Sequence, residues 1–501
     1  MIERSINTLI WNIGLFFVLI ILFSGSGDTI DPDLSFKNVE KHIDLQSQLT
    51  KITARLVLEN GSKDRHIRNF LFALEPKQKE SLSYIAAYRE LVRVELKLTE
   101  IKVNAYPDKT FYQIELKDPL SPGRTTSVEI EWILTHELIP HPKEITQKEK
   151  QLVKYIGNIY LYSPYSITKQ TTTVSLPSRN IENYTKFKPV SQSDSVITYG
   201  PYEKLPSFSY EELNIHFENN NKFLTVTRLE RSIEISHWGN IAVEEHIDLL
   251  HTGALLKGSF SRYEFARESK SGQASIQSFD TILPAAASDI YYRDEIGNIS
   301  TSHTRIKKDS VELNLRPRFP LFGGWKTKYI VGYNVPSYEY LFHAGDQYTL
   351  EMRLLDHVFD DMIVDELIVK IILPEGSTNI ELSLPYSATR LPDSLHYTYL
   401  DTTGRPVISV TKKNLVENHI ENFKLKYKFP RILMLQEPLL VAAALYLLFL
   451  LVITYVRLDF SIDKDEISES KLRIHRHCRV SLSRVATVYD FQTLYRAINL
   501  L

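Results

Sequence analysis

Three kinds of cluster in this 501-residue chain carry side chains that do chemistry. The first is His136-Glu137-Leu138-Ile139-Pro140-His141. A zinc-hydrolase helix needs its second histidine four positions after the first, so that both imidazoles leave one helical face. That position is Pro140, which also lacks the N–H such a helix needs. The cluster is therefore expected as a polar loop after a strand. The second is Asp356-His357-Val358-Phe359-Asp360-Asp361, with oxygen and nitrogen donors suited to a divalent cation. No second cluster accompanies it, and a charged turn between strands is the simpler expectation. The third is a set of N-glycan acceptors: Asn60-Gly61-Ser62, Asn183-Tyr184-Thr185 and Asn298-Ile299-Ser300. Asn298 follows the turn-rich Asp294-Glu295-Ile296-Gly297 and is the preferred candidate.

Phosphate loops, dinucleotide fingerprints, nucleophile elbows and triad patterns are missing from the sequence. Paired glycosidase carboxylates are defined by separation in space and are not legible here. No cofactor and no metal site is expected.

What positions these clusters starts from the ends. Leu439 to Val456 is uncharged and apolar throughout, about 27 Å of helix, close to one bilayer crossing. Near the other end, Arg4 precedes the apolar run Ile13 to Phe23, and Ser24-Gly25-Ser26-Gly27 follows it. That order of charge, apolar core and small residues reads as a secretory signal peptide, with an uncut signal anchor as the alternative. The expected organisation is a signal peptide (1–27), two luminal β-rich domains (28–225 and 226–430), a transmembrane helix (436–456) and a short cytosolic tail (457–501). That organisation would make it a single-pass type I membrane protein, with the bulk of the chain in the lumen of the endoplasmic reticulum. The signal peptide sets that orientation, because Lys424, Lys426, Lys428 and Arg431 before the crossing blur the basic-residue count.

Cys478, the one cysteine, lies beyond the crossing, so no disulfide is expected in the large region before it. Domains of roughly 200 residues bury enough surface to stand without one. A net charge of −2 gives no electrostatic footprint for nucleic acid.

The large region reads as mainly β. Ile52, Ala54, Leu56 and Leu58 alternate before the turn signal Asn60-Gly61; Val128, Ile130 and Trp132 alternate with Glu129 and Glu131. One or two helical turns are expected at Ile85, Tyr88 and Leu91. Phe423, Leu425, Tyr427 and Phe429 alternate with Lys424, Lys426 and Lys428, which fits an outer strand with a cationic face toward solvent or lipid headgroups. The two halves echo each other. Glu40 to Leu45 returns as Glu245 to Leu249, and Phe72-Ala73-Leu74-Glu75-Pro76 as Thr281-Ile282-Leu283-Pro284. Trp132 with Pro140 and the later tyrosine-rich block Tyr160 to Tyr165 resemble Trp325 with Tyr333, Pro336 and Tyr338. Two related sandwich-like domains joined near 200–230 would account for this; chance among strand patterns is the alternative.

Aromatic blocks stand out: Ser236-His237-Trp238-Gly239-Asn240, Phe319 to Trp325, and Tyr329, Tyr333, Tyr338 and Tyr340. Most would fill cores. Trp325, Tyr333, Tyr338 and Tyr340 are the candidates for a partner-facing surface.

These blocks also carry a resemblance. Ser236-His237-Trp238-Gly239-Asn240 continuing to Glu245, Tyr291 to Asn298, Arg316 to Lys326, Met434 to Leu440 and Tyr455 to Ser461 resemble the ribophorin I family, subunit 1 of the oligosaccharyltransferase complex. The resemblance runs from about residue 35 to 464. It implies a non-catalytic scaffold and substrate-presenting subunit in the endoplasmic reticulum membrane. The family's complex transfers a preassembled glycan from a dolichyl diphosphate donor to Asn-x-Ser/Thr, with its chemistry in another subunit. Implied partners are the catalytic and accessory subunits, the translocon, nascent polypeptides and membrane lipid. Asn298 matches a family glycosylation site. Beyond about Lys464 the resemblance fades, which puts any ribosome-facing role of the tail in doubt. A different class of function, an independent lectin-like or chaperone-like luminal binding protein, would use the aromatics around Tyr333 to Tyr340 as its contact face.

Overall fold

A computed structural model describes residues 30–90, 93–267 and 274–458. The expected signal peptide (1–27) and the tail from 459 onward lie outside the described residues. The described residues up to Leu433 form one compact unit.

That unit repeats one topology. In the first half the largest sheet runs Val190–Ser193, Val196–Leu205, Ile167–Ser175, Leu34–Asp44, Thr50–Asn60, Thr125–Leu134, Leu82–Arg89, Val94–Leu96. In the second it runs Thr389–Arg390, Arg405–Leu415, Ile363–Ile372, Leu224–Ile235, Asn240–His251, Lys326–Pro336, Ser288–Asp294. Each half opens with a strand that pairs antiparallel with its successor and parallel with a strand far downstream.

The smaller sheets repeat as well. Ile67–Leu74, Thr110–Leu120 and Leu98–Ile101 correspond in order to Phe279–Pro284, Ser310–Leu315 and His303–Ile306. The four-stranded set Ile181–Tyr184, Glu212–Glu218, Leu152–Asn158, Ile139–Pro140 corresponds to Thr378–Ser383, Asn422–Lys428, Gln347–Arg353, Leu341–Ala344. Alternation drives the burial: Ile52, Ala54, Leu56 and Leu58 point into the first core, while their neighbours are at least partly exposed.

Three sequence readings need correction. The counterpart of the strand holding Glu40 to Asp44 is Leu224–Ile235; Glu245 to Leu249 lies one strand later, so that echo matched composition and missed position. Ile85 and Tyr88 belong to a strand, Leu82–Arg89, because pairing with Thr125–Leu134 outweighs a helical spacing of three. Asn422–Lys428 alternates as expected but is an inner strand, bonded on both sides. Its lysine face is also offset by neighbours: Glu351 pairs with Lys424 at 3.3 Å, and Glu381 stands opposite Lys426.

Each half buries one cation at the same structural position. A β-bulge interrupts Leu34–Asp44 before Asn38, and another interrupts Leu224–Ile235 before Arg228. Three residues past each bulge stand Lys41 and Arg231, both essentially without solvent contact. Lys41 Nζ donates to the carbonyls of Asn158 (2.8 Å) and Tyr160 (3.1 Å). Arg231 donates to the carbonyl of Arg353 at 3.5 Å, and Asn158 and Arg353 end corresponding strands. In both halves a buried cation thus ties the opening strand to the crossover.

The anions differ. Arg231 Nη1 bonds both Glu245 and Asp356 (2.7 Å to Asp356), and the Tyr333 hydroxyl donates to Asp356. Asp356 is therefore a core residue, which corrects its reading as part of a charged turn. Two carboxylates share one cation, and each leaves an oxygen without a hydrogen-bond donor. Burial, reinforced by the Asp356 charge, pushes the Glu245 carboxyl up to about 7 despite Arg231.

The halves meet through a small apolar cluster of Leu49, Ile133, Ile363 and Val416. Around it Gln48 donates to the Leu224 and Asp361 carbonyls, and Thr135 bonds Asn414 at 2.7 Å.

The segment Gln436–Arg457 is a 22-residue helix, about 33 Å long, and apolar on every side. A surface helix of a soluble domain would show a polar face. Thr454 bonds the Leu450 carbonyl at 2.7 Å, satisfying its hydroxyl inside the apolar stretch.

The Arg231 cluster predicts a pH dependence of stability. Glu245 titrates near 4.5 when unfolded and higher when folded, so its contribution is full below 4.5 and falls as pH rises to about 7, by up to about 1.4 kcal/mol per unit. Glu245→Gln should flatten the melting temperature between pH 5 and 8 and raise it above pH 7. Arg231→Ala should cost about 3–5 kcal/mol in denaturant unfolding, because two carboxylates then face each other unpaired.

Candidate acceptor and partner-facing surface

Asn298 sits at the end of a tight turn. The strand Ser288–Asp294 runs into Glu295-Ile296-Gly297, where Gly297 adopts a φ of +139°. Asp294 caps the turn: one oxygen accepts from the Ile296 and Gly297 amides, both at 3.0 Å. Arg318 clamps the same carboxylate and donates to the Gly297 carbonyl at 3.0 Å. Hydrogen bonding from Arg318, with the two amides, holds the Asp294 carboxyl down at about 2. Asn298 is exposed beyond this clamp, and Ile299 donates to the Tyr292 carbonyl at 3.0 Å. An acceptor asparagine on a fixed, solvent-facing turn has room for a bulky glycan.

Asn183 is also exposed, in the edge strand Ile181–Tyr184. Asn60 is different. It is fully buried, and its Nδ2 donates to the carbonyls of Arg65 (2.7 Å) and Leu120 (3.0 Å). Both of its amide hydrogens serve the core, so the folded chain has no space for a glycan there. Asn-Gly signalled a turn correctly; burial of its side chain was invisible.

The four candidate aromatics part company. Tyr333 is buried in the Arg231 cluster, which corrects its assignment to a partner-facing surface. Trp325 is half-buried among Phe260, Phe319 and Phe322, at centroid distances of 5.3–5.8 Å. Its loop is held tightly, since a Cβ on Gly323 would come within 1.8 Å of the Ala254 carbonyl. Tyr340 is half-buried, and Tyr338 is 77% exposed. Sequence reasoning passed over Trp238 as core filler. It is 63% exposed at a hairpin tip, and the adjacent Gly239 in the turn was the available signal. Exposed Tyr397 and Tyr399 were missed as well.

His136 and Glu137 do lie in the loop after Thr125–Leu134. His136 contacts Asp365 of the second half at 2.8 Å, and burial raises the Glu137 carboxyl. His136 thus joins the halves, while Glu137 stays within the first. Among the described residues, no group of three His, Cys, Asp or Glu side chains is placed to hold a metal. A cleft of about 480 Å³ lies beside the Asn298 turn, lined in part by Asp248, Asp294, Ile296, Phe319 and Lys328.

These placements predict the occupancy of the acceptors. Asn298→Gln should remove one glycosidase-sensitive step from the electrophoretic mobility of the protein made in microsomes. Asn60→Gln should leave mobility unchanged and lower the melting temperature, because it disturbs two buried hydrogen bonds.

Comparison with known proteins extends this picture. The family described as Ribophorin I matches residues 34–456. Dolichyl-diphosphooligosaccharide–protein glycosyltransferase subunit 1 of Caenorhabditis elegans is 41% identical over 438 residues, covering 87% of this chain and 74% of its own. Subunit 1B of the Arabidopsis thaliana enzyme is 39% identical over 464 residues, covering 90% of this chain and 98% of its own. Among solved structures, an M1 zinc metallopeptidase from Deinococcus radiodurans is 14% identical at a TM-score of 0.24, covering 47% of this chain and 52% of its own. An overlap that low carries no argument. The match over nearly the whole described region, at this identity to two subunit 1 proteins, makes the chain a member of the Ribophorin I family.

Proposed function

We propose that this protein is a non-catalytic subunit of an oligosaccharyltransferase complex in the endoplasmic reticulum membrane. In that role it is a scaffold that presents nascent Asn-x-Ser/Thr substrates to a catalytic subunit. The carrying observation is the family match over residues 34–456, which takes in both β halves and the apolar helix. Gln436–Arg457 is read as a single crossing with the β region in the lumen, the type I orientation implied by the N-terminal apolar run. The two halves serve as luminal domains, divided near 225. Their buried ionic and aromatic contacts fix a rigid surface, as a scaffold requires. The catalytic and accessory subunits are the partners, with the translocon and nascent chains beside them.

Affinity purification of the tagged full chain in mild detergent should recover a multi-spanning transferase subunit in stoichiometric amount. Deleting residues 439–456 should abolish that recovery. Purification of the chain alone, or transfer of glycan from lipid-linked donor by the β region by itself, would overturn the reading.

A further inference from the structure

The hairpin between Leu224–Ile235 and Asn240–His251 ends in Ser236 to Asn240, with Trp238 at its tip. Ser236 closes the turn: its amide donates to Asn240 at 2.9 Å, and its hydroxyl accepts from the Trp238 amide at 3.2 Å. The tip is fixed from below. The His237 ring stacks on Phe429 at 4.4 Å and 9°, and its Nε2 lies 3.1 Å from the Tyr427 hydroxyl. It is fixed from the side as well, because Ser337 donates to the Gly239 carbonyl at 3.0 Å and brings the turn carrying Tyr338 against it. Phe429 leads through Pro430 and Arg431 to Ile432, which is 76% exposed. Rigid, exposed Trp, Tyr and Ile in one region mark a covered surface.

Chain length identifies the cover. Phe429 stands seven positions before Gln436, so at most about 25 Å of extended chain separates the ring under the tip from the start of the apolar helix. Gln436 to Pro438 precede the uncharged run, which puts that start at the level of lipid headgroups. Trp and Tyr concentrate in that layer, where the ring meets acyl chain and the N–H or O–H meets water. Lys428 and Arg431 add charge that suits phosphate. The rest of the lysine row contributes little, given Glu351 and Glu381 across from it.

We infer that Trp238, with Tyr338 and Ile432, is an interfacial anchor seated in the headgroup layer of the bilayer that holds the chain's own helix. The inference rests on the membrane-spanning reading of Gln436–Arg457. Its test is nitroxide accessibility of the full chain in phosphatidylcholine nanodiscs, in a Cys478→Ser background. Labels go on Trp238→Cys, Ile432→Cys, Lys63→Cys as the aqueous reference and Leu447→Cys as the helix reference. Labels at 238 and 432 should favour collision with oxygen over a water-soluble nickel chelate several-fold relative to 63. Equal behaviour at 238 and 63, or shielding at 238 from both reagents, overturns the anchor; the latter would show protein as the cover. A water-exposed label at 447 would instead overturn the spanning reading itself. Brominated phosphatidylcholine offers a check with the native residue. It should quench fluorescence that Trp238→Phe removes, and no difference between the two proteins would count against the anchor.

Discussion

Everything in the β region hangs on an unfavourable act made tolerable: each half drives a cation into its core. Desolvation, partly opposed by the Glu75 charge, pulls the Lys41 ammonium down to about 8, and its hydrogen-bond partners are backbone carbonyls. Arg231 answers the same demand with two carboxylates and a tyrosine. Buried charge of this kind adds little net stability compared with apolar packing, but it tolerates only one arrangement of its neighbours. Here it fixes the opening strand against the residues that begin the crossover, at matched positions after matched bulges. The geometry of the long sheets, and with it the surface they present, follows from those two points.

That surface suits a protein whose role is contact. The strongest polar constellation, around Arg231, lies entirely inside and serves packing. Of the groups that resembled catalytic motifs, His136 joins one half to the other through Asp365, and Asp356 lies in the core. What faces outward is a set of aromatics on short, well-braced turns and the exposed asparagine of an Asn-x-Ser sequence on a clamped one. Family membership and architecture therefore converge on a subunit that positions other molecules.

The fold class and the apolar helix were plain in the sequence because they depend on local periodicity: alternation over Thr50–Asn60 and Asn422–Lys428, and an unbroken apolar run after Pro438. The repeat was visible as faint echoes, yet its true register was hidden. It resides in strand order and bulge position; around Lys41 and Arg231 the strands share Glu40 with Glu230 and Ile43 with Ile233, a likeness too short to stand out without the bulges that align it. Site residues were the least legible. That Tyr333 is buried depends on Asp356, distant in sequence from both Arg231 and Glu245, and the burial of Asn60 depends on the Leu120 carbonyl sixty residues away. Long-range pairing decided each case.

The parallel pairing at the centre of each half also sets a timetable. Phe36 meets Ile167 and Thr225 meets Ile363, in each case more than a hundred residues later. A ribosome adding about 5–20 residues per second needs on the order of ten seconds to deliver the second partner. For that interval the opening strand has its antiparallel neighbour but one naked edge, and its buried cation has not yet met the carbonyl that will hold it. Each half therefore spends its synthesis as an incomplete sheet with a charged seam. Inward-pointing charge on an open strand disfavours its pairing with the edge of another chain.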